Sequence, residues 1–449
     1  MKRVLSFLLA ALVLALALTG CSSSRGKTLL TLEKDGTTAT LSVNLYELML
    51  SRIKGSLAGN GITAGGYAPT EDGFWSYYGR FGDSDKDQTL AEYYSAMILE
   101  NCKTFTAADW LFASMGLTLS ASATADVDQR LQDLVDTYGS KTRLNAALAD
   151  FGVNYEMLRE AYLLEEKVNL LQETLFGKNA TLVDTSIKDR YLGEHYVRFY
   201  QITLPKYRYV YVKDKNGDDI YYVEASQMKT VAYDTENGVR RTDADGNWLL
   251  DENKNEIYFK SANSERIAYD TVNGVRSYEL DSSGVAKTEA LTDEEIAALQ
   301  EQGQALLQEL TGCTAAVFEA KMREENRNMA NEDQYTDGYY LNIDTDYAAA
   351  GESFSYLSAI VEQLKDAAVG TVVMVDSDDA VHIIRKYEPT SGAYDLDVNE
   401  PWFQNFRSGL VETLFLERCA ELFDAIRVDE AVLASATDIR SIGANLYLY

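Results

Sequence analysis

The chain has 449 residues, 46% of them hydrophobic, which is enough for two or three domains with apolar cores and too apolar for a disordered polypeptide. Its formal charge of −29, from 70 acidic and 41 basic side chains, argues against nucleic acid and anionic lipid faces as partners. Two histidines and no Cys-x-x-Cys argue against a zinc site, and neither a Walker-type phosphate loop nor a Gly-x-Ser-x-Gly elbow is present, so no cofactor or metal is expected.

At the start, Lys2 and Arg3 precede an apolar run over residues 4–18 and then Leu18-Thr19-Gly20-Cys21. A basic head and an apolar stretch too short for a confident span read as a secretory signal. The L-T-G-C ending resembles a bacterial lipobox, which implies cleavage before Cys21 and lipid on its thiol. Residues 1–20 are then a lipoprotein signal peptide and 21–27 a tether. Loss of Lys2 and Arg3 takes the formal charge from −29 to −31. Acyl chains on one cysteine hold a body at a membrane without spanning it, here at the extracytoplasmic face of a bacterial cell membrane. The same four letters at 310–313 follow a polar helix and carry no such meaning. Cys102, Cys313 and Cys419 are widely spaced among apolar residues and read as buried free thiols rather than a disulfide.

After the tether, residues 28–43 form a hairpin with Asp35-Gly36 at its turn, and Asn44 is placed to cap a helix that carries Leu45, Leu48, Met49 and Ile53 on one face. A glycine-rich loop over 55–73 leads to a long helical region, 90–115. From Asp126, the stripe Val127, Leu131, Leu134, Val135 and Tyr138 predicts a helix that Gly139 ends in the left-handed conformation. A short helix with Leu144, Leu148 and Phe151 closes at Gly152, and Asn154 caps a long one that runs to Gly177. Packing between helices is the primary reading of these stripes. Residues 196–204 alternate as a strand.

From Lys206 to about residue 290 the chain is rich in tyrosine and in the turn pairs Asn216-Gly217, Asn237-Gly238, Asp245-Gly246 and Asn273-Gly274. V-A-Y-D-T-E-N-G-V-R at 231–240 recurs as I-A-Y-D-T-V-N-G-V-R at 267–276, so this is a β-rich insertion of repeated hairpins. Residues 243–256 lack the sixth-position glycine and the flanking helices of a calcium loop and read as a turn. Thr292 to Glu295 is a capping box opening a helix, and a second helix covers 318–329. A turn at 337–340, an amphipathic segment at 355–365 and strands at 369–375 and 380–387 follow. Pro401 is placed in the first turn of a C-terminal helix with Trp402, Phe406, Leu410, Leu414 and Cys419 inward.

The succession D-G-Y-Y, amphipathic helix, V-G-T-V and D-A-V-H-I-I-R-K-Y resembles the C-terminal half of a parvulin-type peptidyl-prolyl isomerase domain. His382, Ile383 and Ile384 reproduce its closing strand, and V-R-F-Y-Q-I-T-L at 197–204 its first. Upstream, V-D-Q-R-L-Q-D-L-V-D-T-Y-G-S and L-N-A-A-L-A-D-F-G-V-N-Y-E-M-L-R are similar to the helical module of the SurA and PrsA foldases. There a helix, a short helix ending in "-GV-" and a long helix lead into the parvulin domain. The implied fold is α+β: a helical module over 28–190 completed by a C-terminal helix within 391–449, and a parvulin-like domain over 191–390 that carries the hairpin-rich insertion 206–290. The implied function is a membrane-anchored extracytoplasmic chaperone or foldase whose partners are unfolded or proline-containing secreted polypeptides. The alternative is a non-catalytic envelope lipoprotein whose hairpin insertion docks a dedicated partner.

Rotation about a peptide C–N bond meets a barrier of roughly 18–20 kcal/mol, and an isomerase lowers it by seating proline in an apolar pocket and stabilising the twisted amide. The resemblance implies a first-strand histidine, a closing-strand histidine, a cysteine or aspartate before the glycine turn, and apolar pocket residues. His382 matches the closing-strand histidine, but Gln201 stands at the first-strand position. Ungapped counting puts Asn328 at the cysteine or aspartate place, with Asp333 there if the loop is shorter, and Asp337 replaces an apolar pocket residue. Three altered positions count against efficient peptidyl-prolyl isomerisation, and a structural histidine bonded within the sheet is the competing reading of His382. His195, just outside the strand, reads as a surface residue.

Overall fold

The computed structural model describes residues 26–82, 85–224, 230–251, 254–262, 268–326, 337–347 and 355–446. The expected leader, the lipidation site Cys21, Asn328 and Asp333 lie outside the described residues. In chain order the principal elements are β1 (Thr28–Lys34), β2 (Thr37–Ser42), α1 (Val43–Gly59), α2 (Leu90–Ser114), α3 (Ala121–Tyr138), α4 (Lys141–Ala149), α5 (Tyr155–Phe176) and α6 (Thr185–His195). There follow β3 (Tyr196–Pro205), α7 (Asp293–Leu310), α8 (Ala315–Glu325), β4 (Tyr339–Asn342), α9 (Ser355–Leu364), β5 (Val372–Asp376), β6 (Ala380–Tyr387), α10 (Phe406–Ala420) and β7 (Ile426–Val428). The fold is mixed α+β with several small sheets. Among the described residues, no helix is long and apolar enough to cross a membrane.

Two compact units divide the chain. The first takes in the described parts of Met1–Val197, Tyr340–Ala349 and Pro389–Tyr449. Its hairpin β1-β2 turns at Asp35 and Gly36, both with positive φ (48° and 79°), the geometry a two-residue type I′ loop requires. The late strand β7 adds antiparallel to β1, pairing Leu30 with Val428 and Leu32 with Ile426. Helices α1, α2, α3 and α5 pack an apolar core around fully buried Trp75, Ile98, Leu131 and Leu158. Gly139 ends α3 at φ 78°, and the Asn154 side chain accepts from the Met157 amide to open α5. Asn44 does not cap α1: Ser42 holds the cap position, and the Asn44 amide donates instead to the Gly152 carbonyl at 2.6 Å.

Charged groups inside this core are held by ion pairs or by backbone groups. Arg52, 1% exposed, meets Glu165 at 3.1 Å, and Arg130 meets the other oxygen of the same carboxylate at 3.2 Å. Burial nevertheless holds the Glu165 carboxyl above its ordinary range. Lys54, also buried, donates to the carbonyls of Ile439, Arg440 and Ile442, so one ammonium fastens the C-terminal segment onto α1. Pro401 lies inside a short 3₁₀ turn, Asp397–Trp402, and α10 begins only at Phe406, one turn later than its proline suggested. A second cluster joins Tyr191 and Tyr196 to Tyr394, Phe403 and Phe406, with the Tyr394 and Phe406 rings stacked at 4.5 Å.

The second unit takes in the described parts of Arg198–Tyr339 and Ala350–Glu388. Its strands β3, β6 and β5 lie side by side in that order, each antiparallel to its neighbour. β6 runs against β3 from Ala380↔Pro205 to Tyr387↔Arg198 and against β5 from Val372↔Arg385 to Asp376↔Val381. One face, built from Ile202, Leu204, Val381 and Ile383, buries against Leu306, Leu310 and Phe318 of α7 and α8. α7 comes so close at Gly303 that a Cβ there would stand 2.8 Å from Val381. The capping box drawn from Thr292 and Glu295 opens α7.

The insertion enters and leaves side by side, with Tyr207 paired to Ala290 and Tyr209 to Thr288. Its hairpins are five-residue loops rather than two-residue Asn-Gly turns. Lys213 bridges Asp219, Thr242 bridges Trp248, Leu250 bridges Glu256 and Leu280 bridges Ala286. An aspartate opens each loop, and the Asp214, Asp243, Asp251 and Asp281 carboxylates accept the loop's own amides. Gly217, Gly246 and Gly284 supply the left-handed residue, and Lys254 (φ 68°) takes that role in the loop without glycine. Asn237-Gly238 and Asn273-Gly274 make another turn, in which each glycine amide donates back to Asp234 or Asp270 at 2.9 Å.

Candidate functional site

Strand parity sets the candidate site. Thr203 lies opposite His382, and Gln201 opposite Ile384, so these four side chains share the sheet face turned away from α7 and α8. His382 is 5% exposed. Its Nδ1 lies 3.4 Å from the Thr203 hydroxyl and its Nε2 3.4 Å from the Ser377 hydroxyl. Tyr356 of α9 lies over the imidazole, rings 5.0 Å apart and 8° from parallel.

The Ser377 hydroxyl donates to the Ala380 carbonyl at 2.9 Å and accepts the Ala380 amide at 3.1 Å. Its one proton is committed, so toward His382 it acts as an acceptor, which places the imidazole proton on Nε2 and leaves Nδ1 to accept from Thr203. Burial pushes the His382 pKa down to about 4, opposed by the nearby Asp376 and Asp379 charges and reinforced by Lys206. Lys206 itself is held at 2.7 Å from Asp376. At neutral pH the ring is uncharged, stacked and bonded at both nitrogens. That is the geometry of a positioned polar group, not of an exposed acid or base.

Gln201 is half-buried, and its backbone is fixed by Asn326 at the end of α8. The Asn326 side chain donates to the Gln201 carbonyl at 3.0 Å and accepts the Thr203 amide at 3.1 Å, standing in for a neighbouring strand. Asp337 is not in an apolar pocket: it pairs with Arg198 at 2.8 Å, and Arg198 also donates to the Asp337 and Glu388 carbonyls. The next residue, Gly338, has φ 80°, and a Cβ there would lie 2.8 Å from the Phe199 carbonyl, so this turn requires glycine.

His195 is not a free surface residue. Its Nδ1 lies 2.6 Å from Asp344, and its ring packs 4.2 Å from Tyr191, within the first unit. The structure therefore brings Gln201 and His382 to one face. Thr203, Ser377, Tyr356 and Asn326 also belong to this site and did not emerge from the sequence. For Thr203 the signal was available, since it stands two residues from Gln201 on the same strand face. Cys102, Cys313 and Cys419 are free thiols, two of them buried. Among the described residues, no group of three His, Cys, Asp or Glu side chains could hold a metal ion.

No family model matches the chain, and no curated protein matches it. Comparison with solved structures finds the crystal structure of PrsA from Bacillus subtilis at 15% sequence identity, covering 80% of this chain and 92% of that one, with a TM-score of 0.17. A superposition that loose carries no argument, and the functional reading rests on the residues themselves.

Proposed function

We propose that this chain is a lipid-anchored extracytoplasmic foldase, tethered through Cys21, whose helical unit holds unfolded secreted polypeptides. In this reading its sheet unit is a parvulin-like frame that binds proline-containing segments without efficient turnover. The observation that carries the reading is the order of pieces around His382. A first strand with Gln201, two helices, the obligatory Gly338 turn, a helix, and two strands closing in H-I-I follow one another as the parvulin resemblance implies. A neutral imidazole bonded at both nitrogens supports binding over catalysis.

The test is proline isomerisation of short proline tetrapeptides by the chain from Gly26 onward, run beside aggregation of an unfolded client protein. The expected result is suppression of aggregation by wild type and His382→Ala alike, with isomerisation at the uncatalysed rate in both. Failure to suppress aggregation would overturn the foldase reading. Turnover present in wild type and lost in His382→Ala would overturn the binding-only role of the sheet unit.

A further inference from the structure

The insertion repeats over more than the ten-residue identity seen in its sequence. Residues 211–240 and 248–276 follow one plan: an aromatic residue, an Asp-led loop, I-Y-Y or I-Y-F, then A-Y-D-T-x-N-G-V-R. Tyr211 corresponds to Trp248, Asp214 to Asp251, Tyr222 to Phe259, Tyr233 to Tyr269 and Arg240 to Arg276.

Among the described residues, the two copies exchange a set of contacts crosswise. Val239 of the first bridges Phe259 of the second, and Val275 of the second pairs with Tyr222 of the first. A Cβ on Gly238 would stand 2.6 Å from Tyr258 and 3.2 Å from Ala268, and one on Gly274 would stand 2.7 Å from Tyr221 and 3.2 Å from Ala232. The Asp234 amide donates to the Ala268 carbonyl, and the Asp270 amide to that of Ala232. The Tyr269 hydroxyl donates to Asp214, and the Tyr233 hydroxyl to Asp251. Arg240 meets Glu256 at 2.9 Å over the Trp248 ring, and Arg276 meets Asp219 at 2.9 Å over the Tyr211 ring. At the centre Tyr233 bridges its own counterpart Tyr269, rings 13° from parallel.

A contact set in which i meets j and j meets i, around a residue that pairs with itself, is an isologous two-fold interface. Such an interface is normally formed between two chains, and here it closes within one. Each repeat carries both halves of the surface. We infer that the insertion is a self-complementary interaction element in tandem, and that a chain carrying one repeat pairs through the same surface with a second copy of itself. This goes beyond the foldase reading and does not depend on it.

Deleting residues 214–250 removes one period, joins Lys213 to Asp251 and leaves one unbroken repeat between its original flanks. Light scattering of the chain from Gly26 onward is expected to show twice as many chains per particle for this deletion as for the intact protein. Tyr269→Ala in the shortened chain is expected to abolish the doubling. An unchanged number of chains per particle in the deletion overturns the inference.

Should the shortened chain not fold, amide exchange in the intact chain decides. Gly238→Val is expected to speed exchange at Ala268 and Phe259, and Gly274→Val at Ala232, each by about tenfold or more. Exchange that quickens only within the substituted repeat overturns the inference.

Discussion

The two faces of the second unit's sheet differ in what holds them. On one, Ile202, Val381 and Ile383 are wholly buried against α7 and α8, and the helix approaches so closely that position 303 has no room for a side chain. On the other, Gln201, Thr203 and His382 alternate with the same core residues along the same strands, and a hydrogen-bonded, stacked imidazole sits beside the buried Ile384. The first face tolerates no loss of volume. The second depends on protonation and on the exact proton donors around one ring.

Substitutions on each face sharpen the contrast. Ile383→Ala, at a fully buried position, is expected to cost about 2–5 kcal/mol, read from the denaturant midpoint of the second unit. On the polar face the largest expected effect comes from pH. The His382 pKa falls from 6.5 in the unfolded chain to about 4 in the fold, so between those values the unfolded state binds more protons and stability rises with pH. That contribution, about 3 kcal/mol at most, is complete above pH 6.5 and is lost as pH falls toward 4. Urea titrations across this range are expected to show that slope in wild type and a flatter one in His382→Asn.

Gly303→Val is expected to force α7 off the sheet at a cost of about 1–3 kcal/mol, checked by thermal melting. Ser377→Ala removes the acceptor of the Nε2 proton and is expected to cost about 1 kcal/mol by denaturant unfolding. If it proves as costly as Ile383→Ala, the two faces are not held differently.

Much of this arrangement was legible before the structure because it follows local rules. Asp35-Gly36 turns the first hairpin, Asn154 and the Thr292–Glu295 box open their helices, and Gly139 closes α3, each through chemistry confined to a few neighbouring residues. The strand carrying His382 was legible from its run of β-branched residues. What escaped was set by distant partners. Asn44 lost its capping role to the Gly152 carbonyl, 108 positions away in sequence, and Asn326 patches a strand from the end of a helix. The Lys54 ammonium answers carbonyls near the C-terminus, which no local pattern announces.

The insertion shows the same limit in another form. Its turn dipeptides were visible, but their geometry was not that of Asn-Gly hairpins, because an aspartate carboxylate gathers each loop's amides and sets a longer turn. Its repeat was visible as ten letters. The rest of the duplication lies in residues of similar shape rather than identity, such as Tyr211 and Trp248, which become recognisable once each is found beneath an arginine of the other copy.

The most direct test of the central claim, that the histidine on this face is a neutral structural group, is the ring titration of His382 by nuclear magnetic resonance. With two histidines in the chain, His382→Asn identifies the signal. The expected result is a midpoint near 4 with the proton on Nε2 at neutral pH. A midpoint near 6.5, the value of a free histidine, or a proton on Nδ1 would contradict it.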